Sequence, residues 1–125
     1  QAIGRSLSGS LRQVFDWNIQ QAGLDRWVQV HQGHADEVAV NWISPIDMLF
    51  LDGDQSYEGV QLAYHSWSPY LKIGGIIAVH NSAPGTYHAG HDGHRRLVVE
   101  TIQPPQYVDA TCKGTTTFAR KMLEG

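Results

Sequence analysis

Two short polar clusters carry most of the chemistry this sequence offers. Asp52-Gly53-Asp54 follows the apolar run Ile46 to Leu51, and His80-Asn81 follows the apolar run Ile76 to Val79. A carboxylate set directly after a buried strand has a fixed direction, and a ligand, a metal or nearby backbone amides usually satisfy it. Asp52, Asp54 and Asn81 present hard oxygen donors suited to Mg²⁺ or Ca²⁺, and His80 adds a nitrogen. Gly53 permits an unusual backbone angle or a close approach by a ligand. The plainer alternative is that Asp54 and Ser56 cap the next helix while Asp52 stabilises the turn. The second cluster makes a site more specific, because two such strands one helix apart are often neighbours.

The surrounding elements follow from periodicity. Apolar residues at Leu11, Val14, Phe15, Ile19 and Ala22 fall at helical spacing, and Gly23 stops the helix. Trp27 to His31 alternates like a strand, and Ala35 to Trp42 reads as a short helix closed at Ser44-Pro45. Ile46 to Leu51 is a nearly unbroken apolar run, as strands buried on both faces in parallel sheets are. Ser56 resembles the N-cap of a helix reaching about Leu71, with Pro69 bending its end. Lys72 to Gly75 reads as a turn, and Ile76 to Val79 as a second buried strand. A polar loop covers Ser82 to Gly93, and a helix from about His94 to Ile102 stops at Pro104-Pro105. Gln106 to Cys112 and Thr115 to Met122 read as a hairpin joined at Lys113-Gly114. Strands alternating with helices imply a mostly parallel sheet closed by an antiparallel edge.

Composition narrows the rest. One domain of 125 residues, 42% hydrophobic and with a formal charge of −3, has no basic patch for nucleic acid and no expected membrane partner. No apolar stretch approaches a membrane span, no signal-peptide pattern precedes the first helix, and the lone Cys112 fits a reducing compartment such as the cytoplasm. The start at Gln1 hints at a processed or excised product. Gly4 to Ser10 reads as a flexible leader. His88, His91 and His94, three apart in a Gly-rich segment, read as solvated loop histidines. The alternative is that two of them hold a transition metal with His80 or Asp52. The loop lies where a substrate lid would sit. His31 and His34 read as strand-end residues, His65 as a half-exposed helix residue, and the four tryptophans as core or interface.

The segment Asp47-Met48-Leu49-Phe50-Leu51-Asp52-Gly53-Asp54-Gln55-Ser56-Tyr57-Glu58-Gly59-Val60 resembles the fourth-strand motif of class I S-adenosylmethionine-dependent methyltransferases. The similarity is greatest to their small-molecule and sugar O-methyltransferase group. Trp67-Ser68-Pro69-Tyr70-Leu71-Lys72-Ile73-Gly74-Gly75-Ile76-Ile77-Ala78-Val79-His80-Asn81 is similar to the fifth-strand segment of the same group. Phe15 to Asn18 and Gly23 to Arg26 resemble its upstream motif. The resemblance implies a Rossmann-like methyltransferase fold and methylation of a small-molecule hydroxyl. It implies S-adenosylmethionine as cofactor, with His34 and Ala35 near the adenine and Asp52, Gly53 and Asp54 near the methionine end. It further implies catalytic roles for Asp52 and His80, and Mg²⁺ or another divalent cation held by Asp52, His80 and Asn81.

The sequence departs from that pattern at three places. Gln55 stands where the motif has His, Asn81 stands where it has Asp, and the N-terminal strands with their glycine-rich cofactor loop are absent. In this fold the absent strands lie between the third and fourth. Trp27 to His31 is therefore expected to lack a partner and Ile46 to Leu51 to expose an edge. Either a longer parent supplies the strands, or the chain self-associates or re-pairs its sheet. The competing functional reading is a non-catalytic methyltransferase-like remnant that serves in oligomerisation or ligand binding.

Overall fold

The computed structural model describes residues 11–124, so the leader-like Gly4 to Ser10 lies outside the described residues. The chain divides into two compact units, residues 1–32 and 33–125.

In the first unit, helix α1 (Leu11–Gln21) forms on the expected periodicity. Gly23, at φ 72°, turns the chain out of it, while Gly23 N–H and Leu24 N–H return to the carbonyls of Gln20 and Ile19 at 3.0 Å. This left-handed C-cap satisfies the end of the helix. Arg12 Nε pairs with the Asp16 carboxylate one turn away at 3.0 Å. Trp27 to His31 is not a strand. Alternation marks a strand only where a neighbouring strand supplies a ladder of hydrogen bonds; here the Trp27 and Val28 N–H groups instead turn back to Leu24 O at 2.8 and 3.0 Å.

The second unit holds α2 (Ala35–Ala39), β1 (Ile46–Leu51), α3 (Tyr57–Trp67), a 3₁₀ turn (Ser68–Tyr70), β2 (Leu71–Val79), α4 (Gly93–Glu100), β3 (Tyr107–Lys113) and β4 (Thr116–Lys121). The sheet order is β1-β2-β4-β3. Only β1 and β2 run parallel, and the hairpin β3-β4 adds two antiparallel pairs, so the sheet is mixed rather than mostly parallel. The hairpin supplies half the strands, and that proportion decides the sheet's character. His34 sits at the N-cap of α2, not at a strand end.

Strand β2 is longer than its apolar run suggests. Lys72 to Gly75 belongs to it, because Ile46 pairs with Leu71 and the register shifts before Met48 pairs with Ile76. Gly74, at φ 88°, carries the irregularity. Pro69 falls in the 3₁₀ turn that ends α3 and starts β2.

One face of the sheet builds the core. Leu49 and Leu51 pair with Ile77 and Val79, and Val60 and Tyr64 of α3 and Leu97 and Val98 of α4 cover them. The opposite face leaves Met48 and Phe50 half exposed on β1, an edge strand of the described sheet. Two polar devices sit inside the core. Lys121 is buried, yet it donates to Ser68 O and Leu71 O at 2.9 Å and pairs with Glu124, so its ammonium is satisfied. Tyr64 and Tyr107 hydroxyls meet at 2.9 Å, joining α3 to β3.

Burial pushes the Tyr107 hydroxyl well above its ordinary value of 10.0. A raised folded value means the pair's contribution is complete below pH 10 and is lost as pH rises and the unfolded chain ionises. Tyr107→Phe strands the Tyr64 hydroxyl and should cost about 1–3 kcal/mol in urea unfolding at neutral pH.

Candidate functional site

The parallel register places the two polar clusters side by side. Leu51 pairs with Val79, and His80 N–H donates to Leu51 O at 3.0 Å, so Asp52 and His80 leave the sheet together. His80 Nε2 faces Asp52 Oδ1 at 3.9 Å, and its Nδ1 lies 3.2 Å from Thr116 Oγ1 on β4. The imidazole is thus held between a carboxylate and a hydroxyl. Phe50 flanks it, with ring centroids 6.3 Å apart.

Asp54 is turned back on its own chain. Its carboxylate accepts from Ser56 N–H at 2.8 Å, and Ser56 Oγ in turn accepts from Gly59 N–H at 3.0 Å as the cap of α3. The Ser56 backbone N–H is the main reason the Asp54 carboxyl lies below the usual carboxylate range. Asp54 thus supports the capping turn and also lines a cleft beside β1. Gly59 is needed for this arrangement, because a Cβ there would overlap the Asp54 carboxyl group.

A cleft of about 720 Å³ runs along the outer side of β1. His34, Ala35, Asp52, Gly53 and Asp54 all line it, so the structure brings the five expected cofactor-side residues to one place. Trp42, Leu62, Ala63 and Trp67 make its apolar wall. The two tryptophans contact edge to face at 5.2 Å, and Trp67 Nε1 donates to Ala35 O at 2.8 Å, fixing α2 against α3. Trp42 and Trp67 lie 25 positions apart in the chain and carried no local signal of a shared wall.

Asn81 goes elsewhere. At φ 55° it is in the left-handed region, and its Nδ2 donates to Gln55 Oε1 at 2.9 Å. Gln55, which replaces the expected His, donates in turn to Gly53 O at 3.0 Å. Asn81 lines a second hollow of about 470 Å³ with Thr86, Tyr87, His88 and His91. The three proposed metal donors thus divide into an Asp52–His80 pair and an Asn81 amide held by Gln55. Among the described residues no group of three or more His, Cys, Asp or Glu is placed to hold a metal ion.

The histidine triplet also divides. His88 and His91 stand on the loop with ring centroids 6.5 Å apart, whereas His94 is in α4 and buried. Both His94 ring nitrogens are engaged by backbone carbonyls, so it is neither a solvated loop residue nor a free metal ligand. His65 is exposed on α3 and bonds Gln61 one turn away at 3.0 Å.

Residues 5–82, more than half of the chain, match a family described as "Methyltransferase domain". Three solved structures share the fold. A protein described as a "putative O-methyltransferase" from Klebsiella pneumoniae matches with a TM-score of 0.66 at 22% identity, over 89% of this chain and 57% of that one. The O-methyltransferase TomG from Streptomyces achromogenes, in complex with SAM, matches with a TM-score of 0.60 at 22% identity, over 83% and 54%. The MycE methyltransferase of mycinamycin biosynthesis, in complex with Mg and SAH, matches with a TM-score of 0.55 at 16% identity, over 81% and 35%. The chain spans little more than half the length of the first of these. It belongs to the methyltransferase-domain family and has the Rossmann-like fold of class I S-adenosylmethionine-dependent methyltransferases. No helix among the described residues is long and apolar enough to cross a membrane.

Proposed function

We propose that this chain forms the cofactor and acceptor crevice of an enzyme that transfers methyl from S-adenosylmethionine to a hydroxyl of a small molecule. One observation carries the reading: His34, Ala35 and Asp52 to Asp54 line a single cleft, with His80 beside Asp52 at the strand ends. Ligand crevices of open α/β sheets lie there. The lining fits an adenosyl sulfonium, since aromatic and aliphatic walls suit the adenosyl group and two carboxylates suit the cationic end.

The bound cofactor supplies a methyl group on a positively charged sulfur. His34 and Ala35, with Trp42 and Trp67, would enclose its adenosyl end, and Asp52 would face its charged end, with Asp54 on the same wall. His80 would take the proton of the acceptor hydroxyl. The cofactor, when bound, would supply the methyl group to that oxygen and keep the electron pair of the carbon–sulfur bond given up. Asp52, 3.9 Å away, would stabilise the imidazolium that forms. The hollow beside Asn81, with the hydroxyl of Tyr87 and the rings of His88 and His91, offers polar contacts to the acceptor. Among the described residues a divalent cation would find the Asp52–His80 pair and no third His, Cys, Asp or Glu side chain placed with it, so no step is assigned to a metal.

The cleft borders the edge of β1 that no described strand pairs, and a further strand, from a longer parent or a second copy, would complete its outer wall. The exposed free thiol of Cys112 supports a reducing compartment, the cytoplasm. Incubation with methyl-labelled S-adenosylmethionine and a panel of hydroxylated small molecules tests the reading. Labelled methyl ether and S-adenosylhomocysteine should form in equal amounts. Cofactor binding without transfer to any acceptor would favour the remnant acting as a ligand-binding module.

A further inference from the structure

We propose that His94 is a positioning residue that sets the separation of the two strand-end clusters; its role in catalysis rests on the methyltransferase reading above. His94 is the second residue of α4 and only 1% exposed. Its Nδ1 lies 2.6 Å from His80 O, and its Nε2 lies 2.9 Å from Asp54 O. Carbonyl oxygens only accept, so a ring that bonds both of them carries a proton on each nitrogen. One buried ring therefore joins the loop after β1 to the end of β2.

The neighbours of His94 reinforce the brace. Gly93 N–H donates to Gln55 O at 3.1 Å, and Arg95 Nη1 donates to Ser82 O at 3.1 Å. Three consecutive residues at the start of α4 thus hold both loops from the core side. Gly93 must be glycine for the approach, because a Cβ there would meet Ser56 and Gln55 backbone atoms at 2.5–2.6 Å.

The Asp52–His80 pair needs such a brace. Its members are 42% and 47% exposed and 3.9 Å apart. Exposed pairs of this kind contribute little and do not fix their own geometry. The two backbone carbonyls that His94 ties belong to His80 itself and to Asp54, two residues from Asp52. A shift of about 1 Å between reacting groups is enough to slow a reaction roughly a hundredfold. An apolar residue of similar size would fill the same volume but leave both carbonyls without a donor.

Ring-nitrogen NMR on histidine-labelled chain provides the first measurement. The brace predicts two solvent-protected N–H protons on His94, coupled to the carbonyl carbons of Asp54 and His80. A ring with one bare nitrogen would overturn it. His94→Gln provides the second, since its amide can reach only one of the two loops. It should retain the far-ultraviolet spectrum and cooperative unfolding, shift the Asp54 or His80 carbonyl resonance, and weaken S-adenosylhomocysteine binding about tenfold. Wild-type affinity together with wild-type carbonyl shifts would overturn the proposal. If the unaltered chain binds no S-adenosylhomocysteine, the methyltransferase reading fails. The ring protons and carbonyl shifts then still decide whether His94 braces the loops.

Discussion

Gly93→Ala is expected to destabilise the chain by about 3 kcal/mol, the upper end of the usual cost of inserting a methyl group into a packed site. The new Cβ would lie 2.5 Å from the Ser56 carbonyl carbon and oxygen and 2.6 Å from Gln55 O. Those atoms are backbone, so no side-chain rotation relieves the overlap. Either α4 withdraws from the loop after β1, or the loop moves. Withdrawal of α4 also pulls Leu97 and Val98 from the core they share with Leu51 and Val79. It breaks the Gly93 hydrogen bond to Gln55 as well, and that carbonyl loses its donor. Urea unfolding measures the effect as a lowered midpoint at unchanged slope. A midpoint within error of wild type would show that α4 does not seat on this loop as described.

The second large effect falls on rate rather than stability. His80→Ala should slow methyl transfer by roughly 10²–10⁴, the range for removing a positioned general base. His80 is half exposed and its ring contributes no core packing, so the melting temperature should barely move. Asp52→Asn keeps the shape of its partner but removes the charge that steadies a protonated imidazole, and should give a smaller loss. Cofactor affinity separates the two variants. Asp52 lines the cleft and His80 does not, so only Asp52→Asn should weaken S-adenosylhomocysteine binding. Equal losses of affinity in both would place His80 in cofactor binding instead.

The parts of this arrangement visible in the sequence are those that local pattern determines. Ile76 to Val79 is apolar because helices and neighbouring strands cover it. In Ile46 to Leu51 only Leu49 and Leu51 are buried and Met48 and Phe50 stand half exposed, so that strand is not covered on both faces as its composition suggested. A polar residue after each run marks where the sheet ends. The Ser56 cap was equally readable, since capping is a contact over three residues. Where pairing decided the outcome, pattern misled. Lys72 to Gly75 has turn composition, but the partner strand extends β2 through it. Trp27 to His31 has strand alternation but joins no strand ladder among the described residues. The histidine triplet misled for a related reason. Spacing of three groups His94 with His88 and His91, yet burial assigns it to two carbonyls 14 and 40 residues away. Trp42 and Trp67 share a wall only because α2 docks on α3. Nothing at either position announces that contact.

The central claim is that the cleft beside β1 is a cofactor site, and isothermal titration of S-adenosylhomocysteine into the purified chain tests it most directly. The expected result is saturable binding at one site with micromolar affinity, weakened at least tenfold by Asp52→Ala and by closing the cleft with Ala63→Trp. The absence of heat, or binding that neither substitution changes, would contradict it.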